Sequence, residues 1–391
     1  MTSALRPTGQ GIGTGSNDRP VLDRTGLRLL FLIPGGLSLL LGLNAALLLL
    51  GVWAPLNFAK IASLHAPLMV FGFVGTLIVL ERAVAARKPW GYLSPALLGV
   101  GSLVLLSEAP SAVGKTMIAF GFIGLVGIYL VIWKRLAAAA IAIQALGAIA
   151  GLIATLLWLV GSLIPAMVPG MAVFLILTIV GERLELARVS PTVDVRSESF
   201  GLAVAIFLVI FTPLAPLFPQ VCYPLLAVCL GLQVVWLLKF DVAPKLISTS
   251  GLPRYMAICL MTGYIWLLVP TGVWLINGPT STGPLYDATL HSIFLGFVMS
   301  MIMAHAPVIL PAVLRKPLPY RAFLYIPVVL LHASLVLRLL GGDAWGSVFS
   351  LHLGGALNVI SVLLFAILAV TSAALGPPSK PTAKLRKKES K

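Results

Sequence analysis

Apolar residues fall along the chain in long runs of roughly 20 to 28, separated by short breaks rich in Pro, Gly and charge. A helix needs about 20 such residues to cross some 30 Å of hydrocarbon, whereas barrel strands would show ten-residue alternation. Cutting the chain at its breakers predicts about twelve transmembrane helices, near residues 26–53, 57–82, 91–108, 113–133, 137–160, 162–182, 198–217, 221–238, 254–277, 286–314, 321–340 and 346–375. The expected fold class is all-α and polytopic. The expected organisation is a tail over 1–25, a transmembrane domain over 26–375 and a basic tail over 376–391.

Composition agrees with that pattern. The 391 residues are 59% hydrophobic and 10% charged, against roughly half and a quarter for soluble domains. A soluble enzyme is excluded. The formal charge of +15 does not indicate nucleic acid, because the cations lie in short clusters between apolar runs and make no continuous basic face. They carry topology instead. With the N-terminus inside, the outer loops hold only Lys60, Lys115 and Arg338, and the other Lys and Arg fall on the opposite side. Both termini are therefore expected in the cytoplasm. The run after residue 25 is too long for a signal-peptide core, so the first span is expected to be retained. The Lys-rich end, with Lys384, Arg386, Lys387 and Lys388, reads as a disordered segment drawn to anionic lipid. Cys222, Cys229 and Cys259 lack Cys-x-x-Cys spacing and read as small apolar side chains.

Short strings recur. Glu81-Arg82 ends the second span as Glu182-Arg183 ends the sixth, and His65-Ala66-Pro67 with Gly72-Phe73-Val74 is echoed by His291, Gly296-Phe297-Val298 and His305-Ala306-Pro307. These echoes raise a plan of three four-helix units centred on spans two, six and ten. Against it stands the ease with which apolar helices repeat short strings.

All five histidines lie in spans, where ligand-forming side chains are costly and so mark candidate sites. At about 1.5 Å per residue, His65, His291, His332 and His352 each fall within roughly 12 Å of the outer boundary. His305 shares a helix with His291 but lies nearer the inner end. Imidazoles converging from several helices suit a haem iron or copper, while the bland alternative is that each one braces a neighbouring helix. Lys60 and Arg338, near His65 and His332, are candidate partners for outward haem propionates or else interfacial side chains. Met69 is a candidate thioether ligand for which packing is the commoner use. Solvated ion pairing is expected of Glu81, Arg82, Glu182 and Arg183, with a proton entry point as the second reading. Asn44, Gln144 and Asn358 read as interhelical glue or ligand contacts.

The stretches His65-Ala66-Pro67-Leu68-Met69-Val70-Phe71-Gly72-Phe73, His291 through Phe297, His305-Ala306-Pro307 and Leu330 through Leu335 with Arg338 resemble the NnrS family. More distantly, the twelve-span plan is similar to subunit I of the haem-copper oxidases and nitric oxide reductases. The resemblance implies a bacterial inner-membrane protein that binds haem b (heme b) and copper and takes part in the response to nitric oxide. It also implies His65 and His291 as axial ligands of a low-spin haem. Two departures limit it: the sixth and seventh spans hold no histidine, so copper would have to use His332, His352 or His305, and the family's second-helix pair of histidines followed by Glu is absent. A reductase activity therefore does not carry over. With no soluble redox domain or c-type haem motif, an electron donor would be another membrane or periplasmic molecule. The alternative function is a secondary transporter whose histidines are proton or substrate sites. Substrate and oligomeric state stay open.

Overall fold

A computed structural model describes residues 25–58, 60–187 and 194–377. Most of the two expected tails therefore lies outside the described residues. Within them the chain is helical and without strands: α1 Thr25–Leu49, α2 Ala62–Ala86, α3 Leu93–Val104, α4 Ser111–Trp133, α5 Ala139–Leu159 and α6 Ile164–Ala187 make the first half. The second half is α7 Val195–Leu214, α8 Pro219–Phe240, α9 Gly251–Ile276, α10 Gly283–Pro311, α11 Ala322–Ala344 and α12 Val348–Leu375. Each matches one expected span. Eleven are long and apolar enough to cross a membrane, and the chain is a multi-pass membrane protein. The exception is α3, whose 12 residues follow a tight turn at Pro89–Tyr92.

Consecutive helices pack side by side, and α12 returns against α1 to close the ring. Three helices are the most enclosed: the most apolar stretch of α6 is 83% buried and those of α2 and α10 are 67%, against at most 56% in the other spanning helices. These are spans two, six and ten. Their inward faces need no polar side, so they read as near-continuous apolar runs, while outer helices such as α4 and α7 leave large side chains facing lipid. At the head of α7, Asp194 accepts from the Ser197 N–H at 2.8 Å, and the Ser197 hydroxyl in turn accepts from the Asp194 N–H. That reciprocal cap holds the Asp194 carboxyl below its ordinary value, chiefly through the Ser197 backbone bond.

The echo between spans two and ten has a structural counterpart. Shortly after His65, residues Leu68–Gly75 form a π-helical stretch, and directly after His291 so do Ser292–Met299. A third lies at Leu337–Ala344 in α11. Such segments place one extra residue in a turn and are frequent at functional sites. Within each of the first two, the shared glycine is where the preceding helix crosses: a Cβ on Gly72 would lie 2.5 Å from Ser38 Oγ of α1, and one on Gly296 would lie 2.4 Å from Trp266 Cγ of α9. Close helix approach at small residues is how apolar helices gain packing when no hydrophobic force drives them together. The middle unit shows no such stretch in α6.

Gly296→Ala should therefore lower the stability of the detergent-solubilised protein by about 1–3 kcal/mol, because the indole it meets cannot swing aside. Gly36→Ala, where nothing lies within 4 Å, should leave the thermal midpoint unchanged or slightly raised, and the two unfolding curves measured side by side check the contrast.

Candidate functional site

In α2 the α-helical part begins at His65, after a tight turn at Ala62–Leu64, and Pro67 lies in its first α-helical turn, where its missing N–H costs no bond. Its Nδ1 lies 2.8 Å from the backbone oxygen of Gly42 in α1. A carbonyl can only accept, so Nδ1 carries the proton and Nε2 is left as the basic nitrogen. His291, in α10, is held by the same rule: Nδ1 lies 2.9 Å from the Asp287 backbone oxygen and 3.1 Å from Asp287 Oδ1. Both rings line one apolar cavity between α1, α2, α6, α10, α11 and α12. It offers about 90 Å³ to the centre of a water-sized sphere, and its walls include Met69, Met171, Phe294 and Met299.

Arg338, from the π-helical stretch of α11, also reaches this cavity. It makes a two-pronged pair with Asp287, Nε to Oδ2 at 2.8 Å and Nη2 to Oδ1 at 2.7 Å. The guanidinium that the sequence offers to a propionate is thus committed to a carboxylate of the protein. Lys60 lies outside the cavity, where it donates to the Ser107 backbone oxygen at 3.0 Å and pairs with the exposed Glu108 at 3.5 Å. Asn358 lines the cavity and shares a 2.6 Å hydrogen bond with Ser334 of α11.

The remaining histidines do not join the pair. His332 faces α9 and α10, where Trp266 Nε1 donates to its Nδ1 at 2.9 Å and its Nε2 meets Thr262 Oγ1 at 3.2 Å and Ser300 Oγ at 3.4 Å. Those hydroxyls give their own protons to backbone oxygens of Ile258 and Gly296. Both nitrogens of a neutral ring are spoken for, and His332 braces three helices. His352 does not line the cavity. His305 is buried at the far end of α10, its Nδ1 2.8 Å from the Met301 oxygen and its Nε2 3.3 Å from Arg183 Nη1. The common depth read from the sequence therefore becomes a shared cavity for two rings only. Among the described residues no three His, Cys, Asp or Glu side chains gather as a metal-ligand set.

At the opposite end of the bundle, the carboxylates and guanidiniums expected to be solvated are enclosed instead. Arg82 is 9% and Arg183 2% exposed. Arg82 binds Glu81 of its own helix, Gln144 of α5 at 3.1 Å and Glu182 of α6 at 3.4 Å. Arg183 holds Asp241 through Nε and Nη2 at 2.9 and 2.7 Å, and Tyr264 of α9 also donates to that carboxylate. The correction follows from packing: the ends of α2, α5, α6 and α8 converge, so these charges meet one another in place of solvent. Asp241 and Asp287 escape a reading that follows histidines and neighbouring charges. For Asp287 a signal was available, since four residues separate it from His291 and place both on one helix face.

Removing one partner of a buried pair strands the other charge, so Arg183→Met should cost about 3–5 kcal/mol of stability in thermal unfolding. The double variant Arg183→Met with Asp241→Leu should lose much less than the sum of its two single changes.

No curated protein and no solved structure matches this chain. Residues 28–374 match the family described as "Domain of unknown function (DUF8744)". That span covers every residue of the cavity and of the buried pairs, and the chain belongs to this DUF8744 family.

Proposed function

We propose that the chain is a haem-binding membrane protein in which His65 and His291 would hold the iron. One observation supports this reading above the others: two imidazoles from separate helices line a single apolar cavity, each with Nδ1 anchored to an acceptor. An anchored Nδ1–H fixes the tautomer and ring orientation and presents Nε2 as a donor atom, the arrangement that supports metal-bound histidines. The donor set fits a haem with two nitrogen ligands. Bound there, a haem would supply an iron centre for one-electron exchange.

The rest of the work falls to the chain. Gly42 and Asp287 hold the rings, and the walls of Met, Leu, Val and Phe side chains keep water from the cavity. The two nitrogens of His332 are engaged by protein donors and acceptors, so the proposal concerns haem and assigns no copper ligands. Participation in the response to nitric oxide rests on the resemblance to the NnrS family. A bacterial inner membrane as the site of action rests on the same resemblance, and both termini in the cytoplasm rest on the distribution of Lys and Arg. An electron donor would be a separate membrane or periplasmic molecule.

Protein purified from haem-replete cells should show a Soret band and about one haem per chain, in line with two axial nitrogen ligands. His65→Ala and His291→Ala should each lose the band or change its position, whereas His352→Ala should leave it unchanged. A colourless wild type would overturn the haem reading and favour a transporter.

A further inference from the structure

The environment of His291 differs from that of His65 in one respect. His65 gives its proton to a neutral backbone oxygen, but His291 faces a carboxylate as well, and that carboxylate is itself clamped by Arg338. The side chains of Arg338, His291 and Asp287 are only 9%, 16% and 25% exposed, so solvent screens the Asp287 and Arg338 charges beside the ring weakly. A carboxylate that accepts from Nδ1–H makes the opposite nitrogen more basic. A guanidinium bound two-pronged to that carboxylate draws its electron density the other way. The clamp also joins two helices, because Asp287 and His291 sit on α10 while Arg338 sits on the π-helical stretch of α11.

Resting on the haem reading above, we infer that Asp287 is a positioning residue that orients His291 and, balanced by Arg338, sets the reduction potential of a haem held at that ring. The two residues pull in opposite directions. Loss of the Asp287 charge leaves Nε2 a poorer donor and favours the reduced iron. Loss of the Arg338 charge leaves the carboxylate unbalanced beside His291 and favours the oxidised iron. A simple brace between α10 and α11 has no such sign: breaking it from either side loosens the same contact.

Redox titration of the full-length, haem-loaded protein, followed at the Soret band, tests the inference. Asp287→Asn should raise the midpoint potential, and at the wild-type midpoint its reduced-to-oxidised ratio should be about tenfold higher, equivalent to about 59 mV for one electron. Arg338→Gln should lower the midpoint. Arg338→Lys, which keeps the charge, should fall between Arg338→Gln and wild type. Asp343→Asn changes a side chain that interacts with Asp287 and not with His291, and should shift the potential less than Asp287→Asn. Shifts of the same sign for Asp287→Asn and Arg338→Gln, or none, would overturn the inference while the haem reading stands. Should Asp287→Asn fail to accumulate in membranes, an Arg338→Gln midpoint equal to that of Arg338→Lys would overturn it alone. A wild type without a Soret band would overturn both.

Discussion

Inside hydrocarbon there is no water to satisfy a polar group, and every donor, acceptor or charge must find its partner within the protein. This one requirement organises the bundle. Backbone groups are met by helices, and side-chain groups are met where helices converge. Asp287 is the clearest case: a carboxylate among apolar helices is tolerable because Arg338 grips both of its oxygens. Having been paid for in this way, it is available to hold an imidazole.

The same requirement divides the molecule into two polar centres at opposite ends of one apolar core. At one end His65, His291, Asp287 and Arg338 surround the cavity. At the other, Arg82, Glu182, Arg183, Asp241 and Tyr264 tie α2, α5, α6, α8 and α9 together. In the distal cluster each guanidinium meets carboxylates, with the Gln144 amide oxygen also on Arg82 and the His305 ring also on Arg183. The cavity end is different, because two ring nitrogens there have no protein acceptor or donor among the described residues. Polar groups that complete one another make structure, and groups left with an unused lone pair make a candidate site. His332 lies on the structural side of that division, since Trp266, Thr262 and Ser300 use both of its nitrogens.

The three most enclosed helices, α2, α6 and α10, are those at which the recurring strings of sequence occur. In α2 and α10 the repeated Gly-Phe-Val falls within a π-helical stretch, and its glycine marks the crossing of the preceding helix. Local widening of the helix and close approach of its neighbour occur together beside each cavity histidine. The placement of both cavity histidines thus depends on helix crossings that are set by residues with no side chain at all.

Eleven spanning helices and their approximate limits were legible from the lengths of apolar runs, because hydrocarbon thickness fixes how many residues a span requires, whereas the helix expected over 91–108 is α3, too short to span. The candidate status of His65 and His291 was legible too, since an intramembrane imidazole is costly enough to need a reason. Depth alone could not separate these two from His332 and His352, because rise along a helix says nothing of its rotation or its neighbours. Only the tertiary structure decided that Arg338 would face Asp287 across two helices and that Arg183 would find Asp241 58 positions away. A charge in a sequence declares that it needs a partner. Which partner it meets is settled by the packing of apolar faces, and that choice makes some polar groups a brace and leaves others free to bind.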